Sequence, residues 1–181
     1  MQNIVINPAV KVVNTLPKVM KLNHKTTIQL GRELGYTQSY VSKLKHGNAR
    51  LQFDAVQSLL KTLPLGKESL ALDIANQLTG GIVPPVANGD GIKGDVEAFG
   101  NRSIREMSHA IDALAKSEDE FETPANAVHN HSDPENAVYE TMDAVFIAIN
   151  AEINVCHEYG FDMQEMAAKR AKIWKQHKLM K

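Results

Sequence analysis

The sequence predicts an all-α protein, and three observations carry that expectation. Apolar residues recur at steps of three and four through most of the chain, the period of a helix with one buried face. Small polar residues followed three positions later by Gln or Glu stand ahead of two of these stretches, the signature of capped helix starts. No segment alternates strictly enough for a strand, residues 3–6 being the one weak candidate. With 181 residues, 43% of them hydrophobic and 23% charged, the chain fits one globular domain or two small ones. No apolar run approaches the ~18–20 residues a membrane span needs. The first 18 residues lack the pattern of a secretory leader, so a cytoplasmic protein is expected. Cys156 is the single cysteine, which leaves neither a disulfide framework nor a thiolate zinc site to hold the fold together.

Taken in order, a first helix is expected over 9–23, with Val10, Val13, Leu16, Val19 and Met20 inward and Pro17 kinking or restarting it. Thr26 with Gln29 forms a capping box for a helix over 27–34, which Gly35 closes in the left-handed region. Thr37 caps a third over 38–45, ended by His46-Gly47-Asn48. Phe53, Val56, Leu59, Leu60 and Leu63 mark a fourth over 53–63 that stops at Pro64, and Leu70, Ile74 and Leu78 a fifth over 67–78. Residues 79–100 hold six of the 11 glycines and two of the seven prolines and read as a linker or long loop. Beyond it, Ile104, Met107, Ile111, Leu114 and Phe121 form the inner stripe of a helix over 102–122. Asp133-Pro134 opens a long helix over 135–159, ended by Gly160, and Asp162 with Glu165 caps a last one over 163–179 that carries Met166, Ile173 and Trp174. Cys156 and Trp174 are expected in the core.

The near-zero net charge of −1 hides an asymmetry. Residues 1–79 carry 10 basic and 4 acidic groups, 80–168 carry 4 basic and 17 acidic, and 169–181 carry 6 basic and none acidic. A basic front end on an acidic body suggests that the first segment meets a polyanion and the second does not. The division that follows is 1–79 as a nucleic-acid-binding domain, 80–100 as linker, and 101–181 as an acidic helical domain for oligomerisation or an effector role.

The chemistry concentrates in residues 27–45. Leu30, Leu34, Val41 and Leu44 point inward, a bulky side chain at Gly31 would push the next helix away, and Gly35 supplies the tight turn. That is the pattern of a helix-turn-helix, whose second helix enters the major groove while the first crosses the backbone. On its outer face Gln38 suits bidentate bonding to adenine, Ser39 suits several bases, and Tyr40 offers a ring to a thymine methyl. Lys43, Lys45 and Arg50 can neutralise phosphates. The DNA-facing set is completed by Thr27, Thr37, Ser42, His46 and Asn48.

The run from Leu34-Gly-Tyr-Thr-Gln-Ser-Tyr to Lys45-His-Gly-Asn48, with the apolar helix after it, resembles the helix-turn-helix domains of the phage lambda repressor and Cro type over about residues 19–65. The resemblance implies an N-terminal lambda-repressor-like domain in which Gln38 and Ser39 touch base edges and Thr27 holds a phosphate. It departs from the family at Gly31, where alanine is commoner, and at Thr27, where the family carries glutamine.

One such domain grips an operator weakly, and two-fold dimers reading half-sites ~34 Å apart are the usual remedy. The helix over 135–159 is apolar around more than the ~100° of a one-sided surface helix. Its Val138, Met142, Val145, Phe146, Ile149 and Ile153 are therefore the expected homodimer or higher homo-oligomer surface. The expected function is a sequence-specific transcription regulator of phage or prophage type, bound to double-stranded DNA, with no cofactor, no metal, no membrane contact and no catalytic residue. The overall plan, a lambda-type domain followed by a Gly/Pro segment after Ile74-Ala-Asn-Gln-Leu-Thr-Gly-Gly81 and then an acidic helical domain, also looks like small phage regulators, some of them CII-like. One alternative makes the acidic part an effector that binds a host protein. Another rests on Glu140 and Asp143 one turn apart, with Glu118, Asp119, Glu120 and Glu122 preceding them, and on Tyr159-Gly-Phe-Asp-Met-Gln-Glu165. These look similar to all-α nucleotide pyrophosphohydrolases of the MazG type, which hold magnesium on paired carboxylates. His129-Asn-His-Ser-Asp133 matches a His-x-His-x-Asp metal triplet in letters only and reads as a polar interhelical loop.

Overall fold

Pro17 decides where the first helix can start, because a proline is tolerated only in the first turn, where its missing N–H leaves no bond unmade. In the computed structural model, which describes residues 9–91 and 93–181, α1 accordingly runs Leu16–Leu22 with the proline in its opening turn. The expected helix over 9–23 is thus corrected at its front. Ala9–Val10 is a short strand, β1, antiparallel to β2 at Leu51–Gln52, with Val10 opposite Leu51. A two-residue strand has no room for alternation, so periodicity could not show it. The weak strand candidate at 3–6 lies outside the described residues.

The chain divides into two units, Met1–Val86 and Ala87–Lys181, a boundary inside the Gly/Pro stretch. In the first, α2 (Thr27–Leu34) and α3 (Gln38–Lys45) have the expected bounds. A 3-10 turn at Phe53–Ala55 leads into α4 (Val56–Thr62), and α5 is Lys67–Leu78. Leu16, Val19, Leu30, Val41, Leu44, Leu51, Leu59, Leu63 and Leu70 are sealed into one core. Phe53, expected inward, is exposed: it belongs to the 3-10 turn and so falls off the stripe set by α4. Polar clamps tie the ends together. Thr15 Oγ1 donates to Asp73 Oδ2 at 2.8 Å in the interior. The Asn23 amide donates to the Leu65 carbonyl at 2.8 Å and accepts from the Leu65 N–H at 3.0 Å.

In the second unit, Asp95 accepts from the Ala98 N–H at 2.8 Å and starts α6 at Val96, so 96–100, read as linker, is helix. The single helix expected over 102–122 is two, α6 (Val96–Lys116) and α7 (Glu118–Glu122), broken at Ser117, whose hydroxyl turns back to the Ala113 carbonyl at 3.0 Å. The long helix α8 is Ser132–Tyr159, opening earlier than expected because Pro134 fits within its first turn. Gly160 ends it at φ 68°, and α9 is Met163–Gln176, capped by Asp162.

The largest correction concerns the α6 stripe. Ile104, Met107, Ile111 and Leu114 are exposed, as is Phe121 on α7. The buried row of α6 is Phe99, Ser103, Glu106, Ala110 and Ala113, and that of α8 is Ala137, Ala144, Ile147, Asn150 and Cys156. Small side chains let two helix axes approach closely, so the hairpin interface takes the Ala and Ser positions and leaves the large aliphatics outside. Cys156 is buried as expected, but Trp174, expected in the core, is exposed with Met166 and Ile173, and α9 buries no residue. Among the described residues, no helix is long and apolar enough to cross a membrane.

Candidate nucleic-acid interface

Two threonine caps and two glycines set the geometry of the α2–α3 pair. The Thr26 hydroxyl accepts from the Gln29 N–H at 3.2 Å while the Gln29 carboxamide accepts from the Thr26 N–H at 2.9 Å, so α2 begins with both halves of a capping box. It ends at Gly35, φ 71°, where the Tyr36 N–H reaches back to the Gly31 carbonyl at 2.7 Å. Gly31 is buried where α2 meets the start of α3: a Cβ there would sit 2.7 Å from the Tyr36 carbonyl oxygen and 3.5 Å from the Gln38 nitrogen. Glycine at position 31 therefore matches a turn lying against α2 with no room for a methyl.

From that turn, the Thr37 hydroxyl accepts from the Tyr40 N–H at 3.2 Å and caps α3. Val41 and Leu44 go into the core, which fixes the rotation of the helix and turns Gln38, Ser39 and Lys43 outward, exposed. Thr37, His46, Asn48 and Arg50 are exposed as well, while Thr27, Ser42 and Lys45 are half-buried. Among the described residues, no hydrogen bond or ion pair engages the side chains of Gln38, Ser39, Lys43, Lys45 or Arg50. The His46 ring lies 2.7 Å from the Ser42 carbonyl. Tyr40 is half-buried: its ring meets Tyr36 edge-on with centroids 4.9 Å apart, and its hydroxyl donates to the Arg50 carbonyl at 2.8 Å. Burial, followed by the charges of Tyr36 and Asp54, raises its pKa, so it stays a neutral donor. That bond ties the loop carrying Arg50 to α3, a link that side-chain spacing in the sequence does not reveal.

The residues of the oligomer surface divide. Val138, Met142 and Val145 are exposed, while Phe146, Ile149 and Ile153 are half-buried. Of the acidic residues on the metal-binding alternative, Glu140 comes near His109, 3.9 Å away, and His109 near Glu106, 3.5 Å away. Among the described residues these three are the only His, Cys, Asp or Glu group close enough to share a cation, and Asp143 and the α7 carboxylates stand apart from it. Glu106 is already paired with Arg102, with Arg105 3.7 Å away. A cation there would face two guanidinium groups, so the donor set is poorly matched to magnesium. His129 and His131 are exposed in the loop ahead of α8 and join no such group. No protein-family model, no curated protein and no solved structure matches the chain.

Proposed function

We propose that the protein is a sequence-specific DNA-binding transcription regulator, with α2 and α3 as its helix-turn-helix, working as an oligomer and of phage or prophage type. The observation that carries the reading is the outer face of α3. Gln38 and Ser39 stand exposed and unengaged at the start of a helix that Thr37 caps and Gly31 holds against α2. Polar side chains held at a helix start with no intramolecular partner suit base edges, and that is the part of a recognition helix that enters the major groove. Lys43, Lys45 and Arg50 flank them as phosphate contacts. Up to Lys67 the chain has 10 basic groups against 2 acidic ones, which adds a sequence-independent attraction that salt weakens. In this reading Tyr40 positions the Arg50 loop more than it touches a base.

The test begins by selecting duplexes from a random pool with the full-length protein and measuring affinities by fluorescence anisotropy at several salt concentrations. Gln38→Ala and Ser39→Ala should each cost ~1–3 kcal/mol on the selected site and relax preference at the bases they face. Lys43→Ala should weaken all sequences alike and reduce the salt slope by about one. Selection that yields no consensus, or a double alanine variant that binds the consensus as tightly as the parent, would refute the assignment.

A further inference from the structure

The hairpin of α6 and α8 carries six large apolar side chains on its outside. Ile104 is 71% exposed and Ile111 65%, with Met107, Leu114, Val138 and Val145 all close to half exposed. Each of the six follows directly after a buried residue: Ser103, Glu106, Ala110, Ala113, Ala137 and Ala144. One step along a helix turns the side chain by ~100° in a fixed sense. The two helices are antiparallel: Ala87, ahead of α6, bonds to Asn150 in the later half of α8, whereas His109, toward the end of α6, meets Glu140 near the beginning of α8. The same rotation on two antiparallel helices points to the same side of the pair, so the two rows form one continuous face. Turned the other way on α6 are Arg102, Arg105, His109 and Lys116.

We infer that this face, built from both helices, is where a second copy of the chain docks, so that two hairpins close across a two-fold axis into a four-helix bundle. Three observations select that occupant. By their fractional exposure the six side chains leave about 600 Å² of apolar surface in water. A standard-size specific interface takes ~800 Å² from each partner and homodimer interfaces are about two-thirds apolar, so the face supplies the apolar core of an interface at the small end of the dimer range. The six side chains carry no charge, and Glu97 and Glu152, the exposed carboxylates that continue the two rows, stand at one end of the hairpin, so a copy turned by a two-fold axis covers the six without burying a charge. The chain's own α9 is too short to cover it: from Tyr159 back to Val138 is ~31 Å of α8, whereas the 14 residues of α9 span ~21 Å. Ile111, Leu114 and Val138, at the far end of the hairpin, would stay bare. This narrows the oligomer surface to the α6 row together with Val138 and Val145, and it does not depend on α3 reading DNA.

Light scattering on the eluting full-length protein, with no DNA present, tests it. The expected mass at tens of micromolar is twice the 20.0 kDa of the chain. Ile111→Glu should halve that mass with helicity retained, since Ile111 is solvent-exposed in the single chain. Asp112→Lys, a charge reversal on the outward side of the same turn, should leave the dimer intact. A monomeric parent, or a dimer that persists in Ile111→Glu, would overturn the inference. Should Ile111→Glu lose its helices, the parent's Tm decides: it rises with protein concentration for a dimer built this way, and independence of concentration overturns the proposal. DNA affinity is read in a separate assay, so a failure of the α3 assignment leaves these outcomes unchanged.

Discussion

Replacing Gly31 by alanine sets two effects of opposite sign against each other, and the structure decides which wins. In an ordinary helical site glycine to alanine gains ~0.5–1 kcal/mol, because alanine loses less backbone freedom on folding. Here the new Cβ would lie 2.7 Å from the Tyr36 carbonyl oxygen, closer than real Cβ contacts come. The oxygen belongs to backbone that cannot swing aside, since the Tyr36 N–H is held by the Gly31 carbonyl and Thr37 opens α3 immediately after it. Relief requires the turn and the start of α3 to move, an overpacking cost of ~1–3 kcal/mol. The expected net loss for Gly31→Ala is ~1–2 kcal/mol, and under the proposed function DNA affinity should fall as well because Gln38 and Ser39 move with the turn. Urea unfolding followed by far-UV circular dichroism measures the loss as a lower midpoint at unchanged slope. Trp174 lies outside the first unit, so its emission in the folded variant should match the parent's. Gly100 supplies the contrast: it lies inside α6 with no heavy atom within 4 Å of its would-be Cβ, so Gly100→Ala should stabilise the second unit by ~0.5–1 kcal/mol. A Gly31→Ala midpoint equal to or above the parent's would refute the close-approach argument.

Thr15→Val removes the 2.8 Å bond that the hydroxyl gives the buried Asp73 carboxylate. It should cost the first unit ~1–3 kcal/mol in the same urea titration, and a change inside ~0.5 kcal/mol would contradict the clamp. Phe53→Ser should be nearly silent, within ~0.5 kcal/mol, because the ring is solvent-exposed on its 3-10 turn; a large loss would restore it to the core. Asp95 has its pKa lowered from 3.8 first by the Ala98 N–H and then by Lys93. A depressed folded value means that its ionised form adds stability above pH 3.8 and that this is lost as pH falls through the lower folded value. The gap in Tm between the parent and Asp95→Asn should therefore be open near neutrality and close in acid. A gap independent of pH would show that the charge on this cap contributes nothing.

Residues 26–47 were legible almost to the residue, and the reason is local. Thr26 with Gln29, Gly35 and Thr37 act through bonds that span a few positions, so the sequence carries their whole mechanism. The bounds of α2, α3 and α5 follow from such signals. What escaped was set at a distance. The pairing of Ala9–Val10 with Leu51–Gln52 joins segments some forty residues apart, and nothing within either short piece announces it. At the candidate interface, the outward turn of Gln38 and Ser39 follows from the inward Val41 and Leu44. The bond from Tyr40 to the Arg50 carbonyl depends on where the chain goes after α3, which spacing does not encode.

The second unit shows a different limit. A period of three and four says that a helix has an apolar face, and it is silent on what that face meets. On α6 two rows compete, one of large aliphatics and one of Phe99, Ser103, Glu106, Ala110 and Ala113 beside it. Hydrophobicity alone ranks the first as core, yet the second is inside. Axis separation explains the choice. Ala110 and Ala113 on α6 and Ala137 and Ala144 on α8 permit a close approach that Ile104 and Ile111 would prevent. Two polar members of the buried rows are paired where they lie, Glu106 with Arg102 on α6 and Asn150 on α8 with the Ala87 and Phe146 backbone. A hairpin that seals Ala110, Ala113, Ala137 and Ala144 and leaves Ile104 and Ile111 in water has completed one layer of packing and presents the surface of a second. That surplus, more than the apolar content of α8 taken alone, is the physical ground for a partner.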